Sequence, residues 1–293
     1  MSTIRPRRSA LYMPGSNARA LEKAKALAAD VLILDLEDAV APDAKSVARD
    51  QVCAAVREGR YGSREVVIRI NALDTPWGEN DLAAVAGAAP DAVLIPKVSS
   101  AETLAAVGLR LRRHGAPERT RVWAMIETPF ALLDLSAIAS AAYDVDTRLS
   151  CFVMGTNDLA KETRARLLPG RAAMLPWLMN AVAAARAYGI DILDGVYNNL
   201  SDEAGFRAEC EQGRDCGFDG KSLIHPSQIS AANEVFGPTS DELEAARAIV
   251  AAFERPENAH KGVIPLNGRM VERLHAEMAK RVVALAEAIA ERE

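Results

Sequence analysis

Along most of the chain, short apolar runs alternate with longer stretches whose apolar positions recur every three to four residues. The runs fall at residues 10–13, 31–36, 66–70, 92–95, 122–126, 149–154, 191–196 and 218–224. The first six are rich in Val, Ile, Leu and Ala, as strands buried on both faces of a parallel sheet are, and the last two are less apolar. Between them, residues 19–28, 44–58, 80–88, 102–114 and 171–188 have helical periodicity. Eight such strand–helix units within about 230 residues predict a (β/α)₈ barrel, the TIM-barrel class of α/β fold. A doubly wound open sheet shares the alternation, but no Gly-x-Gly-x-x-Gly follows the first strand.

After Pro226 the rhythm changes. Residues 241–253 read as a helix, 254–261 as a polar linker containing proline, 263–268 as a turn or hairpin, and 271–291 as an amphipathic helix. This tail has little core of its own. The expected organisation is a catalytic barrel over 1–230 and a C-terminal helical lid or oligomerisation arm over 231–293.

Composition narrows the class. Hydrophobic residues make up 49% of the 293 positions, enough for one large domain or two ordinary ones. A net charge of −5 argues against a general nucleic-acid binder. Cys53, Cys151, Cys210 and Cys216 form no CxxC pair, so reduced thiols and a cytoplasmic location are expected. The basic start (Arg5, Arg7, Arg8) leads into no apolar segment of signal-peptide length, and no run of about 18 apolar residues predicts a membrane span.

Glu127 and Asp158 each close an apolar run, where a barrel presents side chains to its active-site face. One oxygen from each of two neighbouring strands suits a hard cation, Mg²⁺ or alternatively Mn²⁺, which keeps positions open for substrate oxygens. Either acid alone would equally serve as a helix cap. Asp35, Glu37 and Asp38 crowd the end of the second run, and buried strands avoid adjacent carboxylates unless each is paired or hydrated. Glu37 and Asp38 are therefore candidates to hold metal-bound waters, with a solvated loop as the structural alternative. Arg69 points either into the barrel mouth, where it would grip a carboxylate or enolate oxygen, or into the helix layer. An ion pair with Glu37 or Asp38 is compatible with both.

Backbone amides at Gly155, Thr156 and Asn157 open a helix and are placed to hold a substrate carboxylate. The turn of Tyr12, Pro14 and Gly15 is similar, with Arg19 and Lys23 beyond it as phosphate contacts or as a solvated face. Three features carry less. Gly220-Lys221-Ser222 lacks the earlier glycine of a phosphate-binding loop, since Asp215 stands there. Lys97 at a strand end is a Schiff-base candidate that a metal site makes redundant. His225 reads as structural.

Taken together, RSALYMPGS at 8–16, LDLEDAV at 34–40, RINALDTPWG at 69–78, IETP at 126–129 and GTNDL at 155–159 resemble the HpcH/HpaI aldolase–citrate lyase family. DGVYN at 194–198 and GFDGKSLIHP at 217–226 extend the match. Within the family the likeness is to the acyl-CoA lyase branch of malyl-CoA lyases, (3S)-malyl-CoA thioesterases and citrate lyase β subunits. The resemblance implies a (β/α)₈ barrel whose C-terminal arm covers a neighbour's active site in a homotrimer or homohexamer. It implies Mg²⁺ on Glu127 and Asp158, Glu37 and Asp38 near its waters, Arg69 on the 2-oxo-acid oxygen, and the thioester arm across the Tyr12–Ser16 turn.

The activity so implied is cleavage of a 3-hydroxy diacid CoA thioester to a 2-oxo acid and acetyl-CoA, or hydrolysis of the thioester. A citryl thioester on a carrier protein is the alternative substrate, and a ligand-binding homologue without turnover the alternative role. One departure stands out. Malyl-CoA lyases carry Asp-Gly-Lys-Met in the lid, and here the word is Asn267-Gly268-Arg269-Met270. An amide cannot take a proton as that carboxylate does, although citrate lyase β subunits resemble this chain in having asparagine there.

Overall fold

The computed structural model describes residues 4–292. They form two compact units, one of Arg7–Asn233 and one running from Glu234 onward with the residues before Arg7.

In the first unit every expected strand is present. The strands are β1 (Ser9–Pro14), β2 (Val31–Asp35), β3 (Glu65–Arg69), β4 (Ala92–Ile95), β5 (Arg121–Ile126), β6 (Leu149–Met154), β7 (Asp191–Asp194) and β8 (Gly220–Leu223). They lie parallel in sequence order, and β8 pairs with β1 through Ala10 and Ser222, closing the barrel. The helices that return the chain are α1 (Ala18–Ala24), α2 (Lys45–Glu58), α3 (Gly78–Ala88), α4 (Ala101–Arg113), α5 (Pro129–Leu133), α6 (Leu135–Ser140), α7 (Thr156–Thr163), α8 (Leu175–Ala187), α9 (Glu203–Asp215) and α10 (Ile229–Phe236).

Helix ends differ from expectation for local reasons. The first helix stops at Ala24 because Lys25, Ala26 and Leu27 bond back three residues rather than four, a tightened 3₁₀ end. Arg171 has φ +49°, outside the helical range, so the eighth helix begins at Leu175.

Side chains along each strand alternate between the barrel interior and the helix layer. The interior of the barrel is a packed apolar layer containing Ile33, Val67, Leu94, Trp123, Met125, Val153 and Leu193. At the amino-terminal end Arg7 plugs it, bonding Glu65 at 2.7 and 2.8 Å, pairing with Asp191 and lying over the Trp123 ring. The same parity carries β2 from Ile33 to Asp35, β3 from Val67 to Arg69, and β5 from Met125 to Glu127. Beyond the apolar layer, at the carboxyl ends, polar side chains on the same parity face the mouth, as Glu65 and Asp191 face Arg7 at the other end.

The second unit holds α11 (Ser240–Glu254), the hairpin β9 (Val263–Leu266) and β10 (Arg269–Glu272), and α12 (Arg273–Ala290). A capping box between Thr239 and Glu242 starts α11. The hairpin runs further than expected and delays the last helix to Arg273. Asn267 and Gly268 both have positive φ, +49° and +75°, the pairing that a tight hairpin turn requires. Val271 then pairs across the strands with buried Ile264 and is held in the hairpin. Among the described residues no helix is long and apolar enough to cross a membrane.

Candidate active site

Arg69 points into the barrel mouth, not the helix layer. Its guanidinium grips Asp35 with both arms, Nε to Oδ1 at 2.6 Å and Nη2 to Oδ2 at 2.7 Å. Nη1 lies 2.8 Å from Glu37 and 3.5 Å from Asp38, so both expected ion pairs form. The Tyr12 ring lies 4.7 Å from the guanidinium carbon, giving the cation an aromatic face. Burial opposes the charge on Arg69, but Asp35 outweighs it and keeps the group firmly protonated.

The loop after β2 is wound around the same carboxylate. Asp35 accepts from the amides of Glu37 and Ala39 at 2.9 and 3.0 Å. Lys45 Nζ donates to the carbonyls of Leu36 and Glu37, and Asn71 donates to that of Leu36. Glu37 is thereby fixed while buried. Burial pushes its carboxyl up to about 8, against the pull of Arg69 and helped by Asp38. Its Oε2 lies near Arg69 Nη1 but without an aligned N–H, leaving that oxygen with no hydrogen bond. Asp38 is mostly exposed.

Across the mouth, Glu127 ends β5. Its Oε1 accepts the Lys97 amide at 2.7 Å, whereas Oε2 is buried with no hydrogen-bond partner. Burial raises this carboxyl to about 7, with Lys97 pulling it down and Asp158 pushing it up. Gly155 makes room for it: a Cβ there would lie 2.4 Å from Glu127 Cβ and 2.5 Å from Oε2. Asp158 stands in the first turn of α7, not at the strand end the sequence pattern suggested. The chain turns at Gly155, so the acid reaches the mouth from the helix. The amides of Thr156, Asn157 and Asp158 open that helix, where N–H groups have no intrahelical acceptor.

Lys97 Nζ lies 3.0 Å from Asp158 Oδ1 and 3.8 Å from Glu127 Oε1. Burial opposes its charge, but Glu127 and Asp158 outweigh this and raise its pKa. A Schiff-base lysine needs the reverse, a free amine near neutrality, so that alternative is set aside.

A pocket of about 320 Å³ unites these groups, lined by Tyr12, Asp35, Asp38, Arg69, Glu127, Gly155, Thr156, Asn157 and Asp158, with Met125, Val196 and Ser222 among its remaining walls. Pro14 and Gly15 do not line it; Gly15 donates to the Asp35 carbonyl at 2.8 Å and braces the β1 turn against β2. Asn267 belongs to the second unit, at its hairpin tip. Arg19 and Lys23 are exposed on α1. Lys221 is fully buried on Asp194 and Glu209, each at 2.8 Å, a structural ion pair and no phosphate cradle. His225 caps the turn at Pro226–Gln228.

Two contributors escaped the sequence reading, Asp35 as the main partner of Arg69 and Lys97 as a cation on both carboxylates. Asp35 was findable, since it shares the parity of Ile33. Lys97 stood out at a strand end, but nothing in the order of residues announces its pairing with both acids, which depends on a left-handed backbone with φ +53°.

Glu127 and Asp158 fit a divalent cation. A buried, unpartnered carboxylate oxygen, a glycine that leaves space beside it, and an ammonium already lying against both acids are what a cation site requires. Among the described residues no group of three or more His, Cys, Asp or Glu is arranged to hold a metal ion. Two carboxylates suffice for Mg²⁺, which commonly completes its octahedron with water and substrate oxygens.

Comparison with known proteins gives the family. Residues 8–226 match the model of the HpcH/HpaI aldolase/citrate lyase family, and the chain belongs to that family. It is 50% identical to a (3S)-malyl-CoA thioesterase of Cereibacter sphaeroides, over 97% of this chain and 96% of the relative. It is 36% identical to the citrate lyase subunit beta of Leuconostoc mesenteroides subsp. cremoris, over 98% of this chain and 96% of the relative. The structure of CitE from Mycobacterium tuberculosis, in complex with magnesium, acetoacetate and coenzyme A, superposes with TM-score 0.76 at 29% identity, covering 96% of this chain and 98% of that one.

Proposed function

We propose that this protein is a Mg²⁺-dependent enzyme acting on the CoA thioester of a 3-hydroxy diacid of the malyl-CoA or citramalyl-CoA kind. The observation that carries this reading is one pocket holding Arg69 opposite Glu127 and Asp158, with Glu127 Oε2 buried and unpartnered. The thioesterase relative supports the substrate class, and the magnesium, acetoacetate and coenzyme A of the Mycobacterium tuberculosis relative support the ligand set.

Glu127 and Asp158 are the proposed ligands of Mg²⁺, with Mn²⁺ as the other hard cation suited to them. When bound, the ion supplies positive charge to the hydroxyl and carboxylate oxygens of the substrate. Arg69, fixed from behind by Asp35, directs Nη1 to substrate oxygen where negative charge develops. The Thr156 and Asn157 amides, together with Gly155, cradle the carboxylate. Glu37, with its carboxyl near 8, holds a proton that it can exchange near neutral pH, and exposed Asp38 orients water beside it. The thioester arm runs over Tyr12 and the Pro14–Gly15 turn, and Asn267 serves in the lid.

Hydrolysis of the thioester is the favoured outcome, on the 50% identity to a thioesterase. Carbon–carbon cleavage to a 2-oxo acid is the second reading, supported by the citrate lyase β relative, with a thioester borne on a carrier protein as the alternative substrate. Product analysis separates them. Malyl-CoA and citramalyl-CoA are incubated with the protein and Mg²⁺, then with EDTA. Free CoA with the intact hydroxy diacid, lost on chelation, is expected. Acetyl-CoA with glyoxylate or pyruvate supports the lyase, and no product from either thioester overturns both reactions on free CoA esters.

Assembly as a homotrimer or homohexamer is also proposed, through the 231–293 arm. Exposed apolar Met270, Leu274 and Met278 support it, and light scattering on a sizing column checks it. Four free cysteines support a cytoplasmic location.

A further inference from the structure

Lys97 touches both carboxylates in two different ways. Its backbone amide pegs Glu127 Oε1 at 2.7 Å, from a left-handed conformation (φ +53°) that a lysine keeps only where its surroundings determine it. Its ammonium meanwhile lies 3.0 Å from Asp158 Oδ1 and 3.8 Å from Glu127 Oε1. A divalent ion shared by these acids must lie against the same carboxylates. Ammonium and metal therefore draw on the same two negative charges.

Arg69, which lines the pocket, and Lys97, which does not, are held differently. Arg69 is 9% exposed and locked by two bonds to Asp35, whereas the Lys97 side chain is 43% exposed. Among the described residues its ammonium has no ion-pair partner other than Glu127 and Asp158. It is tethered by the pegged backbone but able to swing toward solvent.

We propose that Lys97 is the internal counter-ion of the metal site: its ammonium holds Glu127 and Asp158 together until Mg²⁺ enters, and once displaced it meets a carboxylate of the incoming ligand. This inference rests on the metal site proposed above. The charges say why the two ligands should help each other. Glu127, Asp158 and Lys97 sum to −1, Mg²⁺ alone turns them to +1, and a monocarboxylate returns them to zero. Mg²⁺ entering alone leaves a displaced ammonium without a partner; Mg²⁺ entering with the acid leaves every charge paired. By linkage, each ligand must then tighten the other by the same factor.

Calorimetric titration of the metal-stripped protein with MgCl₂, with and without saturating pyruvate, tests this without recourse to turnover. Wild type, Lys97→Met and Lys97→Arg are compared. The methionine variant keeps the backbone peg and is expected to bind Mg²⁺ alone about tenfold tighter or more, within the usual range of site-to-site coupling. The arginine variant keeps the charge and should stay near wild type. Pyruvate tightens Mg²⁺ in all three through shared chelation, but by a smaller factor in Lys97→Met. Unchanged or weaker Mg²⁺ binding by Lys97→Met, or an undiminished pyruvate effect, overturns the counter-ion role while leaving the metal site standing. No Mg²⁺ binding by any of the three overturns the metal site and this inference with it.

Discussion

Arg69 and Asp35 face each other across neighbouring strands in register, and their two hydrogen bonds of 2.6 and 2.7 Å tie the pocket-lining cation to the barrel wall. The guanidinium has little freedom left, so its remaining nitrogen is aimed before any ligand arrives. Asp35→Asn removes the counter-charge but keeps the shape. Breaking a buried pair on one side costs about 3–5 kcal/mol, reduced here because Glu37 still faces the arginine. A melting temperature several degrees lower and a fall in kcat are expected together. Arg69→Lys cannot reproduce the two-armed grip. Loss of one such charge-stabilising donor costs about 10²–10³ in kcat, and turnover close to wild type in Arg69→Lys would remove Arg69 from the chemistry.

Glu127→Gln and Asp158→Asn should each abolish activity without unfolding the protein. Loss of several kcal/mol of transition-state stabilisation corresponds to about 10³-fold or more in rate. Stability should move little, and in Glu127→Gln it should rise, because a buried oxygen without a hydrogen-bond partner no longer carries charge. Circular dichroism melts beside rate measurements check both halves. A variant that turns over normally with Mg²⁺ would rule out its side chain as a ligand.

Strand positions were legible because an interior strand of a parallel barrel must be apolar on both faces, and all eight runs became strands. Glu127 and Arg69 were legible for the complementary reason, as charges where that rule relaxes. Asp158 was placed at a strand end because the apolar run passes into Gly155 without a break; the turn there depends on the space a glycine leaves beside Glu127. Amine chemistry was rightly set aside for Lys97, but its ion pairs were not legible, because the two acids it meets follow β5 and open α7, far away in sequence. The hairpin outran its expected end because Val271 found a partner in Ile264, a tertiary contact that no local pattern contains.

The metal-free protein should lose stability as the pH rises through neutrality. Burial holds Glu127 near 7 and Glu37 near 8, above the value of about 4.3 for an unfolded glutamate. Between those values the fold binds protons that the unfolded chain has released, so unfolding becomes easier with each step up in pH. The stabilisation is complete below the unfolded value and is lost as pH passes the folded ones. Melting in EDTA at about pH 5.5 and again at about pH 8.5 should show the lower value at the higher pH, and Glu37→Gln should flatten the difference. Mg²⁺ should restore most stability at the alkaline end, since the ionised carboxylates are the form that binds it. Melting temperatures in EDTA that rise across this window, with no change in Glu37→Gln, would contradict the burial of these acids.

Gly155→Ala is the smallest change that should damage the proposed metal site without replacing a ligand. The new methyl group would press on Glu127 Cβ at 2.4 Å and Oε2 at 2.5 Å, and one of the two must move. The peg from the Lys97 amide holds Oε1, so the displacement falls on the unpartnered oxygen. Groups that orient a metal ligand are commonly worth about 10–100-fold in metal affinity, and a weakening of that order is expected for Mg²⁺. The barrel should remain closed, because Gly155 lies just beyond β6 and its amide bond to the Ile126 carbonyl is unaffected by a side chain. Calorimetric Mg²⁺ titration of Gly155→Ala beside wild type measures the effect directly. Equal affinities would mean that Glu127 Oε2 does not face the ion.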